Sequence, residues 1–171
     1  MAAALLARRL AGAGEAVEVR SAGLLRDGDP APPEVVSVLS GYGADLRAHR
    51  SHAARAGDLL GADVVIGMAR EHVRHAVVTA PEAWPRAFTL RELVRRGEQA
   101  GARAAAEPLS EWLSRVHQGR QRAGLLGDSP GDDVADPVGG PVAAYAGTAA
   151  VLDALVSRLA ALCWGHPLAH G

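Results

Sequence analysis

Apolar residues recur along the chain with two different periods, and each period predicts a different kind of element. Helical spacing covers residues 2–11, where Leu5, Leu6 and Leu10 fall on one face. The longest helical stripe covers residues 141–162 and is typical of a helix that packs against a core. Shorter helices are predicted over residues 33–42, 53–60, 70–77, 90–96 and 107–117.

Strand-like patterns lie between these helices. Residues 17–21 alternate between apolar and polar positions, which predicts a half-buried strand. Residues 62–68 carry a continuous Val64-Val-Ile66 run, typical of a parallel strand buried on both faces. Residues 86–88 form a third, short candidate, and Thr89 is placed to cap the helix that follows it. Strands that alternate with helices predict a three-layer α/β/α fold with a parallel sheet.

One domain is predicted over residues 1–162, with residues 163–171 as a tail. The length of 171 residues suits a single domain, and the apolar share of 49% suits a globular protein. No composition shift or linker divides the chain. Residues 119–140 are rich in Gly, Asp and Pro and predict a long loop, and long loops in compact domains are usually functional or disordered.

Charge and composition exclude several classes of function. The net charge of −1 leaves no excess of positive charge for binding nucleic acid. No uninterrupted apolar run approaches the ~20 residues of a membrane span, and the N-terminus lacks the pattern of a signal peptide. We therefore expect a cytoplasmic protein with no membrane partner. The single cysteine, Cys163, cannot form an internal disulfide, and no pattern selects an oligomeric state.

The densest group of candidate catalytic residues is the stretch Asp132-Asp-Val-Ala-Asp-Pro-Val-Gly-Gly-Pro141. Spacing alone favours a solvated loop that caps the following helix. The alternative hypothesis makes Asp136 a general acid, held at the rim of a cleft by the rigid Pro137. A metal site has little support because no His or further acid falls at ligand spacing nearby. No metal and no cofactor are therefore expected.

Two other polar clusters could contribute to a site. Ser21 ends the first predicted strand, at the edge of a parallel sheet where ligands bind, although a serine there also commonly satisfies a turn. His49 opens a His-Arg-Ser stretch, for which a surface loop is the commoner explanation.

Five stretches, taken in order, resemble the low-molecular-weight protein-tyrosine phosphatase family: Val19-Arg-Ser-Ala-Gly23, His49-Arg-Ser51, Ala62-Asp-Val-Val-Ile-Gly-Met-Ala-Arg-Glu-His72, Ala87-Phe-Thr-Leu-Arg-Glu-Leu93 and Asp133-Val-Ala-Asp-Pro137. The resemblance covers about residues 1–160, including Tyr145 of the last helix. It implies a phosphotyrosine phosphatase I-like fold and hydrolysis of a phosphotyrosine protein, or another phosphomonoester, through a cysteinyl-phosphate intermediate. It also implies that Asp136 is the general acid and that Ser21 and His49 brace the phosphate-binding loop.

The chain departs from the family at the nucleophile. It contains no Cys-x5-Arg loop, and Met1-Ala-Ala-Ala-Leu-Leu6 resembles the stretch that follows that loop in the family. We therefore expect the first, central strand to be missing, so that strands over residues 17–21 and 62–68 face an unfilled slot. Cys163 is expected beyond the last helix and unable to substitute. Val138 also replaces the aromatic residue that usually follows the Asp-Pro pair.

Three hypotheses follow for the function. The first is a phosphatase whose sequence here begins at an internal methionine, so that residues 1–171 alone are inactive. The second is a non-catalytic pseudophosphatase or binding remnant. The third, arsenate reduction on the same fold, needs additional cysteines that the sequence does not contain.

Overall fold

The computed structural model describes residues 1–12, 16–24 and 27–165. Helices dominate this part of the chain, and the strands are short. The elements in order are α1 (Ala2–Gly12), α2 (Pro33–Ser40), α3 (Ala56–Gly61), β1 (Val65–Gly67), α4 (Arg70–Thr79), β2 (Ala87–Thr89), α5 (Leu90–Ala100), α6 (Leu109–His117) and α7 (Val142–Trp164). Short 3-10 helices cover Pro81–Arg86 and Arg122–Leu125.

The two strands pair in parallel, with Ile66 opposite Phe88. Ile66 and Phe88 face the main core, whereas Val65 and Ala87 face smaller cores formed with α3 and α4. Successive side chains of a strand point to opposite faces of the sheet, so helices cover both faces here. The arrangement is the predicted three-layer α/β/α fold with a parallel sheet.

The main core surrounds α7, which packs against α1, α2 and α5. Leu5, Leu6 and Leu10 of α1 are buried there, as their helical spacing predicts. Trp112 of α6 is fully buried, and its indole N–H donates to the carbonyl of Gly101 at 2.9 Å. The predicted stripe on α7 is also confirmed, since its buried residues include Tyr145, Ala149, Leu152, Leu155, Val156 and Leu159.

Helix α7 is the one described helix that is long and apolar enough, by length and composition alone, to cross a membrane. Its stripe is nevertheless buried in the main core, and Asp153 on the same helix accepts a hydrogen bond from Arg9 of α1 at 3.2 Å. In this structure α7 therefore serves as a core helix.

The predicted strand over residues 17–21 is wrong. Residues 16–22 form no ladder, and the nearest pairing is an isolated parallel bridge between Gly23 and Ala53. A strand owes its backbone hydrogen bonds to a neighbour, and the described sheet contains β1 and β2 only. An alternating sequence pattern without an adjacent strand therefore stays irregular.

The predicted burial of residues 62–68 on both faces is also wrong. Val65 and Ile66 of β1 are only half-buried, whereas all three residues of β2 are buried. In the described sheet β1 has a partner along one edge only. The open edge accounts for the exposure of a segment whose sequence suits a central position.

Several predicted boundaries move. Helix α7 continues to Trp164, so Cys163 lies inside the helix and is buried, contrary to the prediction that it follows the last helix. Gly165, with φ of 71°, ends the helix in the left-handed region. The predicted tail beyond it, 166–171, lies outside the described residues. Thr89 caps α5 as predicted, because its hydroxyl accepts from the Glu92 N–H at 3.1 Å.

Candidate active site

The loop that carries Asp136 is fixed to the carboxyl end of β1. The Val134 N–H donates to the Met68 carbonyl at 2.7 Å. The Asp133 carboxylate accepts from the Arg70 N–H, the first amide of α4, at 2.8 Å. That helix receives no side-chain cap from its own N-terminal residue, so Asp133 satisfies an otherwise unpaired amide and complements the helix dipole. The loop is thereby held at the sheet edge where ligands bind in parallel α/β folds.

Asp132 ties the same loop to two helices through charge. Asp132 is 6% exposed. Its carboxylate accepts hydrogen bonds from Arg70 Nη2 at 2.7 Å and from Arg95 Nη1 at 2.6 Å. Burial by itself raises the pKa of Asp132, but the hydrogen bonds and charges of Arg95 and Arg70 outweigh burial and hold the pKa below its ordinary value. Asp132 therefore stays ionised at neutral pH and acts as a tether.

Asp136 differs from the other two carboxylates of the loop because it is exposed. Its Oδ1 accepts from the Val138 N–H at 3.0 Å, which closes a tight turn around Pro137. No arginine or other cation pairs with Asp136 within the described residues. The carboxyl group of Asp136 is therefore accessible to a substrate.

Ser21 and His49 lie in neighbouring loops, joined by backbone hydrogen bonds. The Gly23 N–H donates to the His52 carbonyl at 2.7 Å, which places the end of the 16–24 segment beside the loop that follows His49. Ser21 is exposed and His49 is half-buried. In the described structure no hydrogen bond joins either side chain to the other or to Asp136. The predicted bracing role of Ser21 and His49 therefore remains a prediction.

Ser51 is the residue of the His49-Arg-Ser51 stretch that holds the local structure together. Its hydroxyl accepts from the Asp29 N–H at 2.9 Å, and its own N–H donates to the Asp29 carbonyl at 2.8 Å. Its carbonyl accepts from the N–H of Gly28, which has φ of 86°. These contacts fasten the 27–30 turn to the loop around residues 49–55, so this polar stretch has a structural function.

The only thiol in the sequence cannot serve this site as a nucleophile. Cys163 is 3% exposed inside α7, and burial raises its pKa to about 12, with the Arg103 charge offsetting burial only in part. With that pKa, only about one molecule in 10⁵ would carry the reactive thiolate at neutral pH. No group of three or more His, Cys, Asp or Glu side chains that could hold a metal occurs among the residues described.

Sequence inspection missed the arginines that position the loop. Arg70 follows β1 in a stretch that the sequence highlights, but its partner Asp132 is 62 residues away. Arg95 pairs with Asp132 across 37 residues. Neither pairing has a local sequence signal, because both depend on how α4, α5 and the loop meet in the fold.

Comparisons with known proteins place the chain among phosphatases. It matches the family model described as low molecular weight phosphotyrosine protein phosphatase over residues 1–115. It is similar to the low molecular weight protein tyrosine phosphatase from T. tengcongensis, at 31% identity over 92% of this chain and 86% of that one, with a TM-score of 0.68. It is also similar to the YwlE arginine phosphatase from Geobacillus stearothermophilus, at 28% identity over 93% of this chain and 80% of that one, with a TM-score of 0.66.

A third similar structure is a low molecular weight protein tyrosine phosphatase from Bacillus subtilis, at 25% identity over 93% of this chain and 84% of that one, with a TM-score of 0.66. No curated protein sequence gives a significant match. The family match over residues 1–115 ends before Asp136. That match therefore does not test the prediction that Asp136 is the general acid.

Proposed function

Because the chain belongs to the low molecular weight phosphotyrosine protein phosphatase family, we propose that residues 1–162 form the acid-bearing part of a phosphomonoesterase domain. Asp136 is the general acid of this domain. The observation that supports the assignment is that the three carboxylates of one loop differ in their contacts. Asp132 and Asp133 anchor the loop to α4, whereas Asp136 is exposed. The anchor lies at the carboxyl end of β1, at the sheet edge where ligands bind in parallel α/β folds.

The reaction proposed for the complete site has two steps. A cysteine thiolate attacks phosphorus, and the S–P bond forms as the ester P–O bond breaks. The leaving oxygen receives the bond electrons and takes the proton of the Asp136 carboxyl group. A water molecule then attacks the cysteinyl phosphate, loses its proton to the Asp136 carboxylate, and releases inorganic phosphate with the regenerated thiolate.

Residues 1–171 supply the acid for this reaction and lack the nucleophile. Cys163 is buried with a pKa raised to about 12, and the sequence contains no Cys-x5-Arg loop. An acid alone leaves the phosphorus without an attacking group and without the positive charge that phosphoryl transfer requires. We propose that these residues are inactive alone and become active when a strand and a Cys-x5-Arg-Ser-Pro loop precede them.

Two features of the fold support a preceding strand. Residues 16–22 have a strand-like sequence but no ladder partner, and β1 is half-buried with one paired edge in the described sheet. A strand paired with either segment would supply backbone hydrogen bonds to it. Translation of the gene in frame upstream of the Met1 codon tests whether such a segment is encoded.

The decisive experiment compares purified residues 1–171 with a version that carries a family strand and Cys-x5-Arg-Ser-Pro loop grafted before Met1. Both are assayed with p-nitrophenyl phosphate. We expect no turnover from the first and turnover from the second. In the grafted protein, Asp136→Asn should lower kcat by about 10²-fold or more.

The matched control is Asp128→Asn, which neutralises another exposed carboxylate of the same loop and should leave kcat unchanged. Ser21→Ala and His49→Gln should each lower kcat several-fold if these side chains brace the phosphate loop. Turnover by residues 1–171 that depends on Asp136 would refute the proposed lack of a nucleophile. If the grafted protein kept its full turnover with Asp136→Asn, Asp136 would not be the general acid.

A second candidate substrate class is phosphoarginine. One similar structure is an arginine phosphatase, and Val138, which follows the Asp-Pro pair, is 71% exposed. Valine offers apolar contact without the ring face that an aromatic substrate stacks against. Kinetics of the grafted protein on phosphotyrosine and phosphoarginine peptides distinguish the classes, and Val138→Tyr should favour the phosphotyrosine peptide by up to about tenfold.

A non-catalytic role is the alternative to an incomplete enzyme. We expect residues 1–171 alone to be poorly soluble, because an unpaired strand edge invites aggregation. A soluble, cooperatively folded and inactive 1–171 protein, with no strand and loop encoded upstream, would instead favour a pseudophosphatase in the cytoplasm.

A further inference from the structure

A polar cleft of about 280 Å³ opens between α5, the Arg122–Leu125 turn and the loop at Asp132. Typical small-molecule sites measure roughly 300–1,000 Å³, so the cleft suits a ligand with few atoms. Its charged lining residues are Arg70, Glu92, Arg95, Arg96, Arg120 and Asp132. Four guanidinium groups therefore share the cleft with two carboxylates.

The two carboxylates are already occupied by arginine partners. Glu92 pairs with the buried Arg120, Nε to Oε1, at 2.8 Å. Asp132 accepts from both Arg70 and Arg95. The remaining guanidinium, that of Arg96, donates to the carbonyls of Val116 and Gln118, which carry no charge. The cleft therefore keeps an excess of two positive charges.

Two neighbouring residues of α5 also keep unused hydrogen-bond donors. Arg95 uses Nη1 on Asp132, and within the described residues its Nε and Nη2 have no partner. Arg96 uses Nε and Nη2, which leaves its Nη1 without a partner in the same part of the chain. The side chain of Arg95 is 49% exposed, so its free donors are accessible. Planar guanidinium groups with paired N–H donors match the oxygens of phosphate-class anions.

We propose that this cleft binds a small phosphate-class oxyanion, held mainly by Arg95 and Arg96. The site uses none of Asp136, Ser21 and His49, so it is independent of the proposed catalytic function. An anion bound to Arg95 would also be linked to the loop that carries Asp136, because Arg95 donates to Asp132 in that loop. Bound anion should therefore rigidify that loop.

Calorimetric titration of purified residues 1–171 tests the proposal, with inorganic phosphate, pyrophosphate and AMP as probes at constant ionic strength. We expect saturable binding, tighter for pyrophosphate than for phosphate. Arg96→Gln should weaken binding about tenfold, because it removes one charge-assisted contact. Arg96→Gln leaves the Asp132 ion pairs intact but removes the guanidinium that donates to the Val116 and Gln118 carbonyls. Circular dichroism and thermal unfolding therefore accompany the titration, and binding is compared at a temperature where both proteins are folded.

Arg158→Gln is the matched control, because Arg158 is 45% exposed and, like Arg95, is paired with one acidic residue, Glu98. It should bind like the unaltered chain. Equal weakening by Arg158→Gln and Arg96→Gln would mean unspecific attraction and overturn the proposal, as would the absence of saturable binding. Tighter binding of AMP than phosphate would support a nucleotide phosphate as the source, and equal binding would support the free anion. Phosphatase assays do not bear on this result.

Discussion

The region from β2 to α7, residues 87–164, and the region from residue 16 to residue 55 are built in opposite ways. In the first, Phe88, Trp112 and Leu159 are each at most 1% exposed. In the second, the described buried residues are Val35, Leu39 and Ala44, all on α2 or the turn after it. Its extended segments meet through isolated bridges, Gly23 to Ala53 and Pro30 to Arg50.

The contrast follows from where each kind of element finds its hydrogen bonds. A helix closes its backbone bonds within itself, so an apolar stripe is enough to dock it on a core. A strand takes its bonds from neighbours. The 16–55 region instead uses side chains, as in the Ala53 N–H that donates to Asp27 Oδ1 at 2.6 Å. Exposed bonds of this kind add little net stability each.

The largest expected effect separates the two regions directly. Trp112→Ala should lower the free energy of unfolding by about 3–5 kcal/mol, because it empties a fully buried site in the main core. Val17→Ala, in the irregular segment and 36% exposed, should change it by less than about 0.5 kcal/mol. Urea unfolding measures both. Similar losses from both changes would mean that the 16–55 region is as well packed as the other.

The next effect tests the tie between the packed region and the acid loop. Asp132→Asn removes the charge that holds Arg70 and Arg95 and should cost about 1–3 kcal/mol, less than a fully buried pair because Arg95 is half exposed. Asp128→Asn, an exposed change in the same loop, should cost less than about 0.5 kcal/mol. Urea denaturation provides the comparison. Equal stability of the two variants would show that the ion pairs of Asp132 do not stabilise the attachment of the loop.

Sequence inspection succeeded where structure is local. The stripe of α7, the Thr89 cap and the Leu5, Leu6 and Leu10 face of α1 all follow from spacing along one helix. It failed where structure depends on a distant neighbour. Residues 17–21 carry a strand pattern but have no adjacent strand in the described sheet. The pairing of Arg95 with Asp132, 37 residues apart, has no local sequence signal.

The candidate site shows the same division. The Asp132–Pro137 stretch is conspicuous in sequence, where the following Pro137 and the family resemblance already single out Asp136 among the three carboxylates. The fold adds what the other two carboxylates do, because the Arg70 side chain binds Asp132 and its backbone N–H binds Asp133. The exposure of Asp136 is thus a consequence of how α4 and the loop meet, which a single sequence does not reveal.

A smaller effect probes packing density with two glycines, both inside helices. A Cβ on Gly97 of α5 would lie 2.9 Å from Cζ2 of the buried Trp112, so Gly97→Ala should cost about 1–2 kcal/mol. A Cβ on Gly147 of α7 would meet nothing within 4 Å, so Gly147→Ala should stabilise by about 0.5–1 kcal/mol through helix propensity. Thermal unfolding measures both signs. If both changes stabilised the protein, the Trp112 side chain would be able to shift and accommodate the new methyl group at little cost.

The smallest expected effect is a pH dependence inside the packed region. Arg120 lies between the rings of Trp84 and Phe88, at 4.1 and 4.0 Å from their centroids, and donates to Nδ1 of His117 at 3.0 Å. Arginine always donates, so Nδ1 must be the acceptor and the ring must be neutral. Burial, then the charges of Arg120 and Arg96, lower the pKa of His117 from its ordinary 6.5.

Because the folded state binds this proton less readily than the unfolded state, stability should fall as pH decreases from about 6.5 to the lowered pKa of His117, and change no further below it. His117→Asn keeps a hydrogen-bond acceptor without a titrating group. The difference in Tm between the two proteins should therefore vary with pH inside this window only. A difference that is constant between pH 5 and 8 would mean that the Arg120 contact tolerates a charged imidazole, and that this part of the packed region is looser than the 0% exposure of the neighbouring Phe88 indicates.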